Sequence, residues 1–117
     1  MVDESETAGS ATPVEIELDR AGRRLRFVWS DGQRSDFDWE YLRWRCPCAF
    51  CSGEAGRAGE LASRTELRPD EVQMVDVDLV GRYAVQPTWA DRHSTGIYTF
   101  RMLRALAERD ALLRAPA

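Results

Sequence analysis

Every thiol of this chain falls within six consecutive positions, Cys46, Cys48 and Cys51 in the run Arg45-Cys46-Pro47-Cys48-Ala49-Phe50-Cys51, and the single histidine is His93. Nothing else in the sequence restricts the fold so tightly. Three thiols and one imidazole are four soft or borderline ligands, the number a tetrahedral zinc ion takes. If His93 is the fourth ligand, the stretch Trp89-Ala90-Asp91-Arg92-His93 has to fold back onto the cysteine loop. An odd number of cysteines fits a disulfide framework poorly. A reducing compartment also favours metal over disulfides at this spacing.

A chain of 117 residues has room for one domain with a modest core. No apolar run approaches the length of a membrane span, so no membrane role is expected. The acidic, small residues at the start do not resemble a secretory signal, which makes a cytoplasmic location the expectation. The net charge of −4 argues against a nucleic-acid partner. All sixteen basic residues are arginine. They are scattered among acids, which fits a GC-rich coding bias better than a phosphate-binding surface.

The pattern predicts an acidic disordered tail over 1–13, one folded domain over 14–110 and a frayed end over 111–117. Val14, Ile16 and Leu18 alternate with Glu15 and Glu17, as a half-buried strand does. Leu25 to Trp29 and the run up to Phe37 read as a hairpin around Asp31-Gly32, a pair that tolerates positive φ at both turn positions. Trp39 to Arg45 reads as a short helix capped by Asp38 and stopped by Pro47. Ser52 to Ser63, rich in Gly, Ala, Glu and Ser, reads as a mobile loop. Val72 to Val80 and Tyr83 to Trp89 form a second strand pair, with Pro87 at an edge or strand end. Gly96 to Asp110 reads as the longest helix, capped by Ser94 or Thr95, with Ile97, Phe100, Leu103 and Ala107 on its buried stripe. The fold class is α+β: a small, mostly antiparallel sheet with helices on one face and a zinc-binding loop. The passages Trp29-Ser30-Asp31…Leu42-Arg43 and Trp89-Ala90-Asp91…Leu103-Arg104 echo each other and suggest a duplicated unit.

His93 stands in a polar loop just before the expected last helix, whose N-terminal dipole would favour the net negative charge of three thiolates around a dication. Asp91 is the candidate to hold the ring nitrogen that the metal does not use. The tryptophans Trp29, Trp39, Trp44 and Trp89 read as core and shielding residues rather than a binding cage. Asp76 and Asp78 read as the solvated face of a strand.

These residues resemble a known family. Trp29-Ser30-Asp31-Gly32, Tyr41-Leu42-Arg43, Cys46-Pro47-Cys48-Ala49-x-Cys51, Val80-Gly81-x-Tyr83-Ala84-Val85 and Trp89-x-Asp91-x-His93-x-x-Gly96-Ile97-Tyr98 are similar to the DUF971 family, the gamma-butyrobetaine hydroxylase-like N-terminal domain. The resemblance spans nearly all of Pro13 to Arg109. It implies a zinc site made by Cys46, Cys48, Cys51 and His93. It also implies partners of two kinds, an oxygenase or a P-loop ATPase carrying iron–sulfur clusters. Relatives often carry a histidine where this chain has Gln33 and a glycine where it has Arg92.

No catalytic set is visible. A ferrous oxygenase needs two histidines and a carboxylate, and a Gly-rich phosphate loop needs a lysine. The expectation is therefore a non-enzymatic zinc module serving as an accessory or protein-interaction domain. Two alternatives stay open: a factor in iron–sulfur cluster assembly or delivery, and a redox protein cycling a Cys48–Cys51 disulfide.

Overall fold

The computed structural model describes residues 12–54 and 57–113. Residues 1–11 and 114–117, which hold most of both expected tails, lie outside the described residues. Pro13 already belongs to a strand, and the last helix runs to Leu113.

Strands β1 (Pro13–Asp19), β2 (Arg24–Trp29) and β3 (Arg34–Asp38) form an antiparallel sheet in that order. β2 and β3 bury alternate residues, Leu25, Phe27 and Trp29 against Ser35 and Phe37, so one face joins the core. Glu15 and Glu17 face solvent. In the turn between β2 and β3, Gly32 has φ +88° while Asp31 stays at negative φ. The turn is thus longer than the two-residue hairpin the Asp-Gly pair suggests: the Trp29 amide donates to Gln33 O at 2.8 Å and the Gly32 amide to Trp29 O at 2.9 Å.

Helix α1 (Trp39–Trp44) follows at once, because the Asp38 carboxylate accepts the amides of Glu40 and Tyr41 at 3.0 and 3.2 Å. A one-turn helix α2 (Ala49–Ser52) comes next, then a two-residue hairpin, β4 (Gly53–Glu54) with β5 (Arg57–Ala58). The expected mobile loop is therefore partly ordered by local pairing. Two 3-10 turns, Glu60–Ser63 and Pro69–Val72, lead to the second antiparallel sheet: β6 (Met74–Val80), β7 (Ala84–Trp89) and β8 (Tyr98–Thr99). Asp76 and Asp78 are exposed on it, as expected. Pro87 stands inside β7, beyond the two residues that pair with β8. Helix α3 (Phe100–Leu113) closes the fold. No helix among the described residues is long and apolar enough to cross a membrane.

The α+β reading holds, with the antiparallel strands divided between two small sheets rather than gathered in one. The suggested duplication is visible in hydrogen bonds. β1 meets β2 with Pro13 opposite Trp29 and a bulge before Glu15; β6 meets β7 with Met74 opposite Trp89 and a bulge before Asp76. The Trp39 amide donates to Arg23 O, and the Phe100 amide donates to Tyr83 O. Asp38 caps α1, and Thr99 Oγ1 accepts the Met102 amide at 3.0 Å to cap α3. Each half is thus a three-stranded meander running into a capped helix. Helix α3 also packs against β3 of the first half. One apolar cluster fills the space between the halves, including Trp29, Trp39, Trp89, Tyr98 and Leu103, each at most 1% exposed.

Candidate metal centre

The cysteines sit where α1 ends. Arg45 and Cys46 close its last turn, their amides donating to Leu42 O and Arg43 O at 3.0 and 3.1 Å. Pro47 prevents continuation. Cys48 then acts as the N-cap of α2, its sulfur accepting the Cys51 amide at 3.4 Å. One helical turn brings Cys48 and Cys51 to the same side. His93 closes the turn after β7, where the Trp89 amide donates to His93 O at 2.9 Å and the Arg92 amide to Trp89 O at 2.9 Å.

These two loops meet. His93 Nε2 lies 3.3 Å from Cys46 Sγ, 3.6 Å from Cys48 Sγ and 3.4 Å from Cys51 Sγ. All four ligand atoms fall within 4.8 Å of one another. A zinc ion held at about 2.3 Å by sulfur and about 2.0 Å by nitrogen sets tetrahedral N···S edges of roughly 3.6 Å. The three N···S distances thus match the edges of one tetrahedral ion. All three cysteines are free of disulfides; Cys46 and Cys51 are buried, whereas Cys48 and His93 are half-buried.

Electrostatics fit a site that exchanges protons for a cation. Burial pushes the Cys46 and Cys51 thiols up, and neighbouring cysteines raise Cys51 further. Burial alone would also raise Cys48, but bonds from the Thr95 hydroxyl and the Cys51 amide bring it below its ordinary value. Burial, and then the nearby Arg43 charge, hold His93 below the usual imidazole range. The ring is therefore neutral at pH 7, the form that ligates metals.

Two expectations need correction. Asp91 does not hold the histidine ring. Its carboxylate is taken by the Arg43 guanidinium, Nη1 to Oδ1 at 3.2 Å and Nη2 to Oδ2 at 3.0 Å, and Oδ1 accepts the His93 backbone amide at 3.1 Å. Asp91 fixes the turn, not the imidazole. The last helix begins not at Gly96 but at Phe100, because Tyr98 and Thr99 pair with Val85 and Ala84 as β8 and Thr99 supplies the cap. Its dipole therefore does not start beside His93, and Ile97 is exposed rather than on the helix stripe.

Two residues of the site escape a reading of the sequence. Arg43, 4% exposed, looks like an ordinary last-turn cation. Gly96 is buried, and a Cβ there would stand 2.6 Å from Cys46 Sγ. Its absence of a side chain is what admits the sulfur. Arg43 belongs to the repeated Leu-Arg echo, and both residues stand in the motifs that carry the family resemblance, the signals that mark them without giving their roles.

Comparison with known proteins agrees with this arrangement. The family model described as gamma-butyrobetaine hydroxylase-like, N-terminal, matches residues 16–104. A crystal structure of a protein of unknown function from Acidithiobacillus ferrooxidans ATCC 23270, described as belonging to the DUF971 family, is 33% identical. It covers 82% of this chain and 92% of its own, with a TM-score of 0.59. Two proteins solved by NMR in solution are each 26% identical, with TM-scores of 0.67 and 0.61. The first alignment covers 97% of this chain and 79% of the other, the second 89% and 78%. No curated protein matches the chain. With its fold, its cysteine–histidine cluster and a family match over most of its length, the chain belongs to the gamma-butyrobetaine hydroxylase-like N-terminal domain family, DUF971.

Proposed function

We propose that this chain is a non-catalytic zinc-binding module whose metal is structural and whose surface serves as an accessory or protein-interaction domain. The observation that carries this reading is the convergence of Cys46, Cys48, Cys51 and His93 on one point. Four protein ligands complete a tetrahedral zinc shell and leave no position for a reacting water. Bound there, zinc would supply a cross-link between the end of α1 and the turn after β7, two segments from different halves of the chain. The three thiolates outweigh the dication by one charge, and the Arg43 guanidinium lies close enough to Cys51 and Cys46 to interact with them. Exposed apolar side chains, Phe50 on the ligand loop and Val14, Leu79 and Tyr83 elsewhere, offer contact surface to a protein partner. By family resemblance that partner is an oxygenase or a cluster-carrying P-loop ATPase, met in the cytoplasm.

Compactness of the cage favours one ion over a cluster, because cluster irons spread their thiolate ligands over several metal atoms. Elemental analysis of protein purified anaerobically, without added metal, tests the reading. Colourless protein with one equivalent of zinc supports it. Brown protein with iron, sulfide and broad visible absorption replaces it with cluster assembly or delivery.

A further inference from the structure

The metal cage is flanked by an arginine that touches none of its ligand atoms. Arg43 projects from α1 and reaches across to the second half of the chain. Its Nη1 donates to Glu71 O at 2.7 Å, its fork grips both oxygens of Asp91, and its guanidinium carbon lies 5.4 Å from the centre of the Trp89 ring. Asp91 Oδ1 in turn accepts the His93 amide. The chain of contact therefore runs from the helix that delivers Cys46 to the backbone of the residue that delivers the imidazole.

The other half carries the same assembly without a metal cage. Arg104, from α3, grips both oxygens of Asp31 at 3.1 and 2.9 Å, and its guanidinium carbon lies 5.1 Å from the Trp29 ring. Asp31 Oδ1 accepts the Gln33 amide at 3.2 Å. Arg104 is 7% exposed, close to the 4% of Arg43. Here the clamped turn presents Gln33 in place of His93, and the helix presents Ala107 where the other continues into Cys46. The second clamp is thus an internal control: it repeats the fork, the tryptophan face and the turn amide, lacks the bond that Arg43 makes to Glu71 O, and carries no ligands.

We infer that Arg43 is a positioning residue for the metal centre, holding the His93 turn in register with the cysteine loop through Asp91. The inference rests on the proposed metal-binding reading and adds to it a residue outside the ligand set. A bidentate fork fixes both the distance and the angle of its carboxylate. A buried pair so fixed leaves the His93 backbone little freedom to drift from the three sulfurs. Outer-shell partners of metal ligands commonly change affinity by about 10- to 100-fold when removed. The Arg104 clamp has no such consequence, because no ligand hangs from its turn.

The experiment compares the unaltered chain with Arg43→Gln, Arg43→Lys and Arg104→Gln. Zinc affinity is measured by competition with a chromophoric chelator, and the ligand field by the visible spectrum of the Co(II) form. Melting temperature is recorded for each zinc-loaded variant. The expected result is a loss of zinc affinity of about 10- to 100-fold in Arg43→Gln, with a weakened or shifted Co(II) d–d band. Arg104→Gln should melt earlier yet keep its affinity within about threefold and its spectrum unchanged. Arg43→Lys keeps the charge but not the fork, and keeps the variant foldable should Arg43→Gln fail. It should retain most of the affinity loss. Full affinity in Arg43→Lys, or equal losses in the Arg43 and Arg104 variants, overturns the positioning role while leaving the metal centre standing. Failure of the unaltered chain to bind zinc or Co(II) overturns the metal reading and this inference together.

Discussion

The two halves of the molecule share a frame and differ in what the frame displays. Each has a bulged meander, a buried tryptophan before the turn, an aspartate inside it and an arginine from the other half's helix locked onto that aspartate. Yet the first half shows Gln33, Ser35 and Gly32 where the second shows His93, Gly96 and Arg92. Ser35 accepts the Trp29 indole N–H at 2.8 Å. Gly96 offers Trp89 no such partner, and the Trp89 N–H is one of the buried donors left unpaired among the described residues. Giving up that hydrogen bond makes room for the Cys46 sulfur. The frame is thus general and stabilising, whereas the cage is a local addition that weakens the frame where it is built.

The largest expected effect divides the halves by metal. Structural zinc contributes on the order of 10 kcal/mol in small modules, comparable with the whole stability of a domain this size. Stringent chelation should lower the melting temperature sharply, Cys48→Ser should reproduce the effect, and Gln33→Ala in the matching position should leave melting nearly unchanged. Differential scanning calorimetry checks all three.

Next comes exchange of the residues that distinguish the turns. Gly96→Ser places a Cβ against Cys46 Sγ and should abolish tight zinc binding. The reverse change, Ser35→Gly, removes one buried hydrogen bond and should cost about 1 kcal/mol with zinc affinity intact. Chelator competition and denaturant titration separate the two outcomes.

Acid acts on the cage first and on the frame carboxylates at lower pH. Thiols and imidazole must lose protons to bind metal, so affinity falls as pH falls. The frame carboxylates titrate later. Arg104 holds Asp31 below the usual carboxylate range, and a hydrogen bond from Arg64 draws Glu71 down to about 2. A depressed carboxylate stabilises the fold above its ordinary range and loses that contribution as pH drops through its folded value. For Glu71 the window runs from 4.5 down to about 2. Metal release, followed by the Co(II) spectrum, should coincide with the first loss of circular-dichroism signal, and Glu71→Gln should remove only the part of the acid destabilisation that falls below 4.5.

The last difference between the turns concerns strain. Arg92 sits at φ +75°, where the matching position holds Gly32 at +88°. A non-glycine residue there costs roughly 1–2 kcal/mol. Arg92→Gly should raise the melting temperature slightly without changing zinc affinity, while Gly32→Arg should lower it by a similar amount.

How much of this was legible depends on distance along the chain. Strands β1, β2 and β6 announce themselves because alternation is local, although only β2 buries a full face: Val14 of β1 and Val75 and Leu79 of β6 are exposed. Asp38 is readable as a cap for the same reason. The ligands stand out because thiols and imidazoles are scarce in this chain. Arg43 was not readable as a clamp, since its partner Asp91 lies 48 positions away. The start of α3 was misplaced because Ile97, Phe100 and Leu103 fit a helical period, whereas the pairing of Tyr98 with Val85 leaves no trace in that period. The group that Asp91 holds is a backbone amide, which every residue except proline supplies and no sequence pattern distinguishes.

X-ray absorption at the metal edge, on protein purified anaerobically without added metal, tests the central claim most directly. The account predicts a zinc edge with three sulfur neighbours at about 2.3 Å and one nitrogen at about 2.0 Å. An iron edge with metal–metal scattering, or a zinc shell lacking either the three sulfurs or the imidazole, would contradict it.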